Sequence, residues 1–102
     1  MALDIGIFHK NKSPIIQTSL GLEAHQQLVN HLSYHNTFLL LRMNDYYKDA
    51  CFKVGELSNI LSEINTLKKE SREESLLNFL NTFEKIIKKA KNEKISVDTI
   101  AD

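Results

Sequence analysis

The spacing of apolar residues in the second half of the chain predicts two long amphipathic helices. Apolar residues recur there at intervals of three and four, at Leu57, Ile60, Leu61, Ile64 and Leu67. Polar residues, Glu63 among them, fall on the opposite side, which is typical of a surface helix with one buried stripe. A longer set with the same spacing follows, at Leu76, Leu77, Phe79, Leu80, Phe83, Ile86, Ile87 and Ala90. The short polar link between the two sets favours an antiparallel helix pair.

The ends of the longer helix carry further signals. Ser71 and Glu74 have the spacing of a capping box. In this motif the Ser71 hydroxyl would accept a hydrogen bond from the backbone amide of Glu74, and the Glu74 carboxylate would accept one from the amide of Ser71. Lysines gather at the far end, where they complement the helix dipole; they are Lys85, Lys88, Lys89 and Lys91.

Shorter patterns in the first half and at the end of the chain predict strands and one more helix. Residues 3–7 and 95–100 alternate apolar with polar or small residues, which indicates half-buried strands. Residues 15–19 would pair with the first strand as a hairpin, and residues 22–33 form a helix capped by Thr18 or Ser19. The apolar run 38–41 fits a buried strand or a short helix, and we favour a helix.

The predicted fold class is therefore α+β. A small sheet of two to three strands, made of the N-terminal hairpin plus the C-terminal strand, packs against three to four helices that include the long antiparallel pair. A length of 102 residues suits a single domain over residues 1–102.

Composition narrows the class of function. Thirteen Lys and Arg balance thirteen Asp and Glu, so the net charge is zero. This balance argues against direct binding to nucleic acid or to an anionic membrane, because such proteins usually carry a basic excess. Cys51 is the single cysteine, so no internal disulfide can form, and the start of the chain lacks a basic leader. We expect a cytoplasmic protein.

Residues that could carry catalysis are few. His31 and His35 are four apart, the spacing that places two imidazoles on one helical face, and Asp45 or Asp49 could complete a metal-dependent hydrolase site. Three histidines close in sequence, with His25 as the third, are more often surface or boundary residues. Cys51 lies between Ala50 and Phe52, which favours a buried thiol over an activated one. We therefore expect no enzyme activity, no catalytic residues, no metal and no cofactor.

A short acidic and aromatic stretch, residues 45–49, is the strongest candidate for a binding site. It contains Asp45, Tyr46, Tyr47 and Asp49, and Glu56 follows closely. Tyrosines are enriched in interface hot spots, and flanking carboxylates suit a basic protein partner. The alternative is structural, with one tyrosine in the core and one aspartate capping a backbone amide. The predicted partner-binding residues are Asp45, Tyr46, Tyr47, Asp49 and Glu56.

The chain also resembles a known class of bacterial proteins. The resemblance rests on the opening Met-Ala-Leu-Asp-Ile, the segment Asp45-Tyr46-Tyr47-Lys48-Asp49, the Glu56–Leu67 stretch and the ending Ile100-Ala101-Asp102. Proteins of this kind resemble immunity proteins of contact-dependent growth inhibition and related polymorphic toxin systems. The chain departs from the pattern at Lys53, where a Ser, Asp or Asn helix cap is expected.

The resemblance implies an immunity protein. Such a protein binds the C-terminal toxin domain encoded by a neighbouring gene, often a nuclease, and neutralises it by covering the active-site or substrate cleft. The alternative function is a non-catalytic structural or regulatory protein-interaction module, which could be a homodimer. The sequence leaves the oligomeric state open.

Overall fold

In the part of the chain that the structure describes, four antiparallel strands form one sheet and three α-helices pack against one of its faces. The structure is a computed structural model that describes residues 3–7, 15–32, 39–43 and 49–101. The strands are β1 (Leu3–Ile7), β2 (Ile15–Leu20), β3 (Ala50–Phe52) and β4 (Val97–Ala101), and the helices are α1 (Leu22–Leu32), α2 (Leu57–Glu70) and α3 (Glu74–Glu93). Two short 3₁₀ helices span Leu40–Met43 and Val54–Glu56. The predicted α+β class and the antiparallel hairpin are confirmed.

The strand order is β2-β1-β4-β3, so the first and last strands of the sequence lie at the centre of the sheet. Leu3 pairs with Leu20 on β2 and with Ala101 on β4. The prediction that the C-terminal strand joins the N-terminal hairpin in one sheet is therefore confirmed, and its partner is β1. The prediction of two to three strands missed β3, because three residues are too short to show a period of two.

The alternation of side chains gives the sheet one buried and one open face. Leu3, Ile5, Phe52 and Val97 point into the core and are fully buried. Residues between them in the strands, including Ser19, Cys51 and Ile100, are exposed on the opposite face. The β1–β2 register shifts by one residue between Ile5 and Gly6, which leaves Gln17 as a bulge in β2.

Helix α3 lies centrally over the sheet and carries much of the core. Of its predicted apolar set, all but Leu77 are buried. The ring of Phe83 lies 6.3 Å from that of Phe52 and 5.5 Å from that of Phe79, measured between centroids. The predicted stripe of α2 is also buried except for Leu61, which is half-buried at the edge of the core.

Both predicted helix caps are wrong. Ser71 follows the last residue of α2, and its hydroxyl accepts a hydrogen bond from the amide of Glu73 at 3.3 Å. The α3 amide at Leu76 instead donates to Oε1 of Gln27 on α1, at 3.1 Å. Thr18 and Ser19 belong to β2, which continues to Leu20, so α1 begins after Gly21 without a side-chain cap from either residue.

Glu63 was predicted on the solvent side of α2 but is buried. Its carboxylate accepts hydrogen bonds from the backbone amides of Leu39 and Leu40, at 3.0–3.1 Å. These two amides open the first 3₁₀ helix, where no earlier carbonyl of that helix can accept from them. The charge of Glu63 is thus compensated inside the protein, and α2 holds the 3₁₀ helix against the core.

Within the described residues, none of the helices combines the length and apolarity needed to cross a membrane.

Candidate functional site

Strand β3 connects the two described members of the predicted partner-binding set. Asp49 immediately precedes β3 and is exposed, and Glu56 ends the 3₁₀ helix that follows it. Asp45, Tyr46 and Tyr47 lie outside the described residues, so the structure does not place them. The structure therefore sets Asp49 and Glu56 at opposite ends of one edge strand of the sheet.

Glu56 forms a two-pronged ion pair with Arg42. The guanidinium donates to both carboxylate oxygens, at 2.7 and 2.6 Å. Oε1 of Glu56 also accepts from the backbone amide of Lys53 at 3.0 Å, so Glu56 serves as the cap that the sequence lacked at Lys53. Arg42, and after it the Lys53 amide, lower the pKa of Glu56 to about 2. Glu56 thus has a local structural role, and its contact with a partner stays a prediction.

The same arginine ties the first 3₁₀ helix to β3. Arg42 donates to the backbone carbonyl of Cys51 at 3.0 Å, and its guanidinium carbon lies 5.9 Å from the centroid of the Phe52 ring. Met43, the last residue of that 3₁₀ helix, is fully buried. The described residues that flank positions 44–48 are therefore anchored on both sides, by Met43 in the core and by β3 in the sheet.

Cys51 was predicted to be buried, and the structure places it on the surface. Ala50 and Phe52 point inward from β3, so the alternation along the strand turns Cys51 to the open face. Cys51 pairs with Asp98 on β4. Partial desolvation, together with the Asp98 carboxylate, raises the pKa of the thiol, so the thiol stays protonated near neutral pH. This agrees with the expectation that Cys51 is not an activated nucleophile.

Acidic side chains collect on the open face of the sheet beside β3. Asp98 pairs with Gly6, and Asp4 pairs with Ile100, which makes the two aspartates diagonal neighbours about 7–8 Å apart. Asp4 also accepts from the hydroxyl of Ser19 across the β1–β2 pair, at 2.6 Å. Ile100 between them is 37% exposed. The open face therefore combines carboxylates with an exposed apolar side chain.

Three lysines cluster on the outer side of the helical layer. Lys85, Lys88 and Lys89 are exposed on the outward side of α3, away from the sheet. Lys88 pairs with Glu84, which also binds Lys68 of α2, each at 3.0 Å. The helical layer thus mixes lysines with glutamates, and the lysines cluster on the outward side of α3.

The histidines do not assemble a metal site within the part of the chain that the structure describes. His25 was predicted at the surface or boundary, but it is buried, and its Nε2–H donates to the carbonyl of Met43 at 2.8 Å. Nε2 of His31 lies 3.2 Å from a carboxylate oxygen of Glu73, at the start of α3. His35 is outside the described residues. Among the described ones, no three His, Cys, Asp or Glu side chains are grouped to hold a metal ion.

No protein-family model, curated protein or solved structure matches the chain.

Sequence reasoning placed Asp49 in the candidate surface but missed the part played by Arg42 and Asp4. Arg42 stands at the end of an apolar run, a position that gives no sign of its partner fourteen residues later. The positions of Asp4 and Asp98 could have been predicted, because each is a polar residue in a strand whose residues alternate between apolar and polar. Once the two strands are paired, the alternation places both on one face.

Proposed function

We propose that this protein is an immunity protein that binds a cognate toxin domain through an acidic surface beside strand β3. The proposed surface consists of residues 45–49 together with the open sheet face that carries Asp4, Asp98 and Ile100. Its partner is a protein with a basic cleft, which the immunity protein would cover. Two stretches that carry the resemblance, Asp45 to Asp49 and the ending from Ile100, each contribute one described residue to this surface, Asp49 and Ile100.

The observation that carries the proposal is the grouping of carboxylates beside an edge strand. Asp49 is exposed at the start of β3, and Asp98 faces Cys51 of the same strand from β4. Carboxylates around an exposed apolar side chain suit a basic protein surface, since opposite potentials speed encounter and apolar contact supplies affinity. A nuclease cleft that binds a phosphate backbone has this basic character.

The test is co-expression of the tagged protein with the C-terminal fragment encoded by the adjacent upstream gene. We expect the fragment to be toxic alone and to elute with this protein at a one-to-one ratio. A fragment that is harmless, or that does not bind, would contradict the immunity function and favour the homodimeric module, which size-exclusion chromatography would detect.

A charge reversal tests the surface itself. Asp49→Lys should weaken the complex by at least about tenfold, since a rim or hot-spot charge opposite a basic partner is worth roughly 1–2 kcal/mol. Glu93→Lys makes the same change in net charge at the end of α3, and should leave affinity unchanged. Equal affinity of both variants would exclude this surface while leaving the toxin partnership intact.

A further inference from the structure

Strand β3, which carries part of the proposed surface, has little pairing of its own. It has three residues, and among the described strands it pairs only with β4. Cross-strand pairs are the unit that stabilises a sheet, and a strand of three residues makes few of them. The placement of β3, and of Asp49 directly before it, therefore depends on contacts beyond this strand pair.

Arg42 supplies such contacts from one planar side chain. Its Nη1 donates to the backbone carbonyl of Cys51 in β3 at 3.0 Å and to Oε1 of Glu56 at 2.7 Å. Its Nη2 donates to Oε2 of Glu56 at 2.6 Å. Glu56 in turn accepts from the amide of Lys53, the residue that follows β3, at 3.0 Å. The pair of Arg42 and Glu56 thus holds β3 at its middle residue and directly after its end.

The backbone that carries Arg42 is fixed to the helical layer. Leu40 and Met43, in the same 3₁₀ helix, are fully buried. Glu63 of α2 accepts from the amide of Leu40 at 3.0 Å, and His25 of α1 donates to the carbonyl of Met43 at 2.8 Å. Two core helices therefore hold the segment from which the guanidinium of Arg42 extends, so that the position of β3 is referred to the core.

The geometry of this ion pair requires an arginine. An exposed ion pair of ordinary geometry contributes little to stability, whereas a two-pronged pair of arginine and carboxylate combines two charge-assisted hydrogen bonds in a fixed arrangement. A lysine carries the same charge at a single point and does not reproduce the flat fork of donors. Substitution of Arg42 by lysine therefore separates the contribution of geometry from that of charge.

We propose that Arg42 and Glu56 are positioning residues of the partner-binding surface, which fix β3 and through it Asp49 and Cys51, and that neither touches the partner. Both carboxylate oxygens of Glu56 already bind Arg42, so a basic partner finds a neutralised pair there. The cation of Arg42 would itself repel such a partner. This role rests on the proposed function, and it moves Glu56 from a partner contact to a support of the surface.

The first experiment measures amide hydrogen exchange in the free protein, so it needs no partner. Arg42→Lys keeps the charge and should speed exchange of the amides that join β3 to β4 by at least about tenfold, because the edge strand opens locally more often. Amides that join β1 to β2 should keep their rates. Unchanged rates at β3, or an equal increase in both strand pairs, would overturn the proposal.

The second experiment measures binding of the toxin fragment to variants whose charges change in opposite directions. Arg42→Gln removes a positive charge, and Glu56→Gln removes a negative one. As positioning residues, both should weaken the complex by at least about tenfold, or roughly 1.4 kcal/mol. Because the two side chains act as one unit, the double variant should bind no more weakly than either single variant. Weaker binding by Glu56→Gln with tighter binding by Arg42→Gln would show direct charge contact and overturn the proposal.

Lys53→Gln is the matched control for Arg42→Gln. It removes the same charge beside the same strand but keeps the backbone amide that Glu56 binds, so it should bind the fragment at least as tightly as the unmodified protein. A loss of affinity equal to that of Arg42→Gln would overturn the positioning role. If the unmodified protein binds no fragment, the proposed function fails, and hydrogen exchange at β3 alone decides the role of Arg42.

Discussion

Glu56 and Glu63 are seven residues apart, and each is committed to a different internal partner. Glu56 binds Arg42 and the amide of Lys53 at the surface. Glu63 is buried and binds the two amides that open the first 3₁₀ helix. Neither role follows from the helical pattern of α2, because both partners come from residues 39–53 and are brought near only by the tertiary fold.

The ion pair of Glu56 predicts a defined loss of stability in acid. The pKa of Glu56 is about 2 in the folded protein against an ordinary value of 4.5, so the folded state binds this proton less tightly than the unfolded state. The contribution of Glu56 is therefore complete above pH 4.5 and is lost as the pH falls toward 2. NMR titration of the Glu56 carboxyl carbon measures the pKa directly.

Arg42→Gln is the control for that titration. It should raise the pKa of Glu56 toward 4.5, but only in part, since the amide of Lys53 still donates to the carboxylate. A pKa for Glu56 that is near 4.5 in the unmodified protein would contradict the ion pair.

Removing the carboxylate of Glu63 should destabilise the protein. In Glu63→Ala the amides of Leu39 and Leu40 lose their acceptor, at a cost of roughly 1–3 kcal/mol for each buried group left unpaired. Glu63→Gln keeps one acceptor oxygen and should lose less. Urea denaturation measures the free energy of unfolding. Asn65→Ala, an exposed change in the same helix, is the control and should stay within about 0.5 kcal/mol of the unmodified protein.

At the scale of elements, the long repeats were predictable and the short segments were not. The α3 set from Leu76 to Ala90 spans five turns, so the period of 3.6 residues identifies both the helix and its buried face. Strand β3 has three residues, too few to establish a period of two. This strand forms by pairing with β4, and the residues of β3 themselves do not indicate that partner. The misplacement of Cys51 followed from this omission, since its exposure is set by the alternation along β3.

The predicted helix caps were wrong for a related reason. Local capping signals at Thr18, Ser19 and Ser71 were present, but the acceptor observed in the first turn of α3 belongs to Gln27 on α1. A cap supplied by another helix has no sequence signature at the helix that it caps. Most of the candidate surface likewise depends on the tertiary fold, since Asp4, Asp98 and Asp49 come near one another only when β1, β4 and β3 are paired.

The capping by Gln27 can be tested with its neighbour as the control. Gln27→Ala removes the acceptor of the Leu76 amide and should lower the free energy of unfolding by about 0.5–2 kcal/mol, as for loss of a helix cap. Gln26→Ala makes the same change at an exposed position of α1 and should be close to neutral. Thermal or urea unfolding measures the stability of the two variants. Equal stabilities would show that the hydrogen bond of Gln27 to the Leu76 amide contributes nothing.

At the scale of the whole molecule, a zero net charge is compatible with local clusters of like charge. The sequence has equal numbers of acidic and basic residues. The open sheet face presents Asp4 and Asp98, and the far side of α3 presents Lys85, Lys88 and Lys89. The smallest dimension of the chain is 20 Å, about twice the Debye length of ~10 Å at 0.1 M ionic strength. A partner at one face is therefore largely screened from charges on the other.

These local clusters predict retention on both cation and anion exchangers at pH 7 and low salt, despite zero net charge. The double change Lys85→Gln and Lys89→Gln should reduce retention on the cation exchanger, because it removes two of the three exposed lysines of that cluster. The double change Lys53→Gln and Lys69→Gln alters the net charge equally but leaves that cluster intact, and should retain most of the binding. Equal losses would show that net charge alone governs retention.

The central place of β4 in the sheet also sets the order in which the protein can be completed during synthesis. The hairpin of β1 and β2 and the three helices are all made before β4, but β3 pairs only with β4 among the described strands. On the ribosome, the sheet therefore stays divided until residues 97–101 emerge, and its middle pair joins segments from nearly opposite ends of the described chain. Closing so long a loop is slow relative to local helix formation. Until β4 arrives, the edge of β1 is exposed, and a nascent chain that pauses there is vulnerable to proteolysis and to mispairing with other chains.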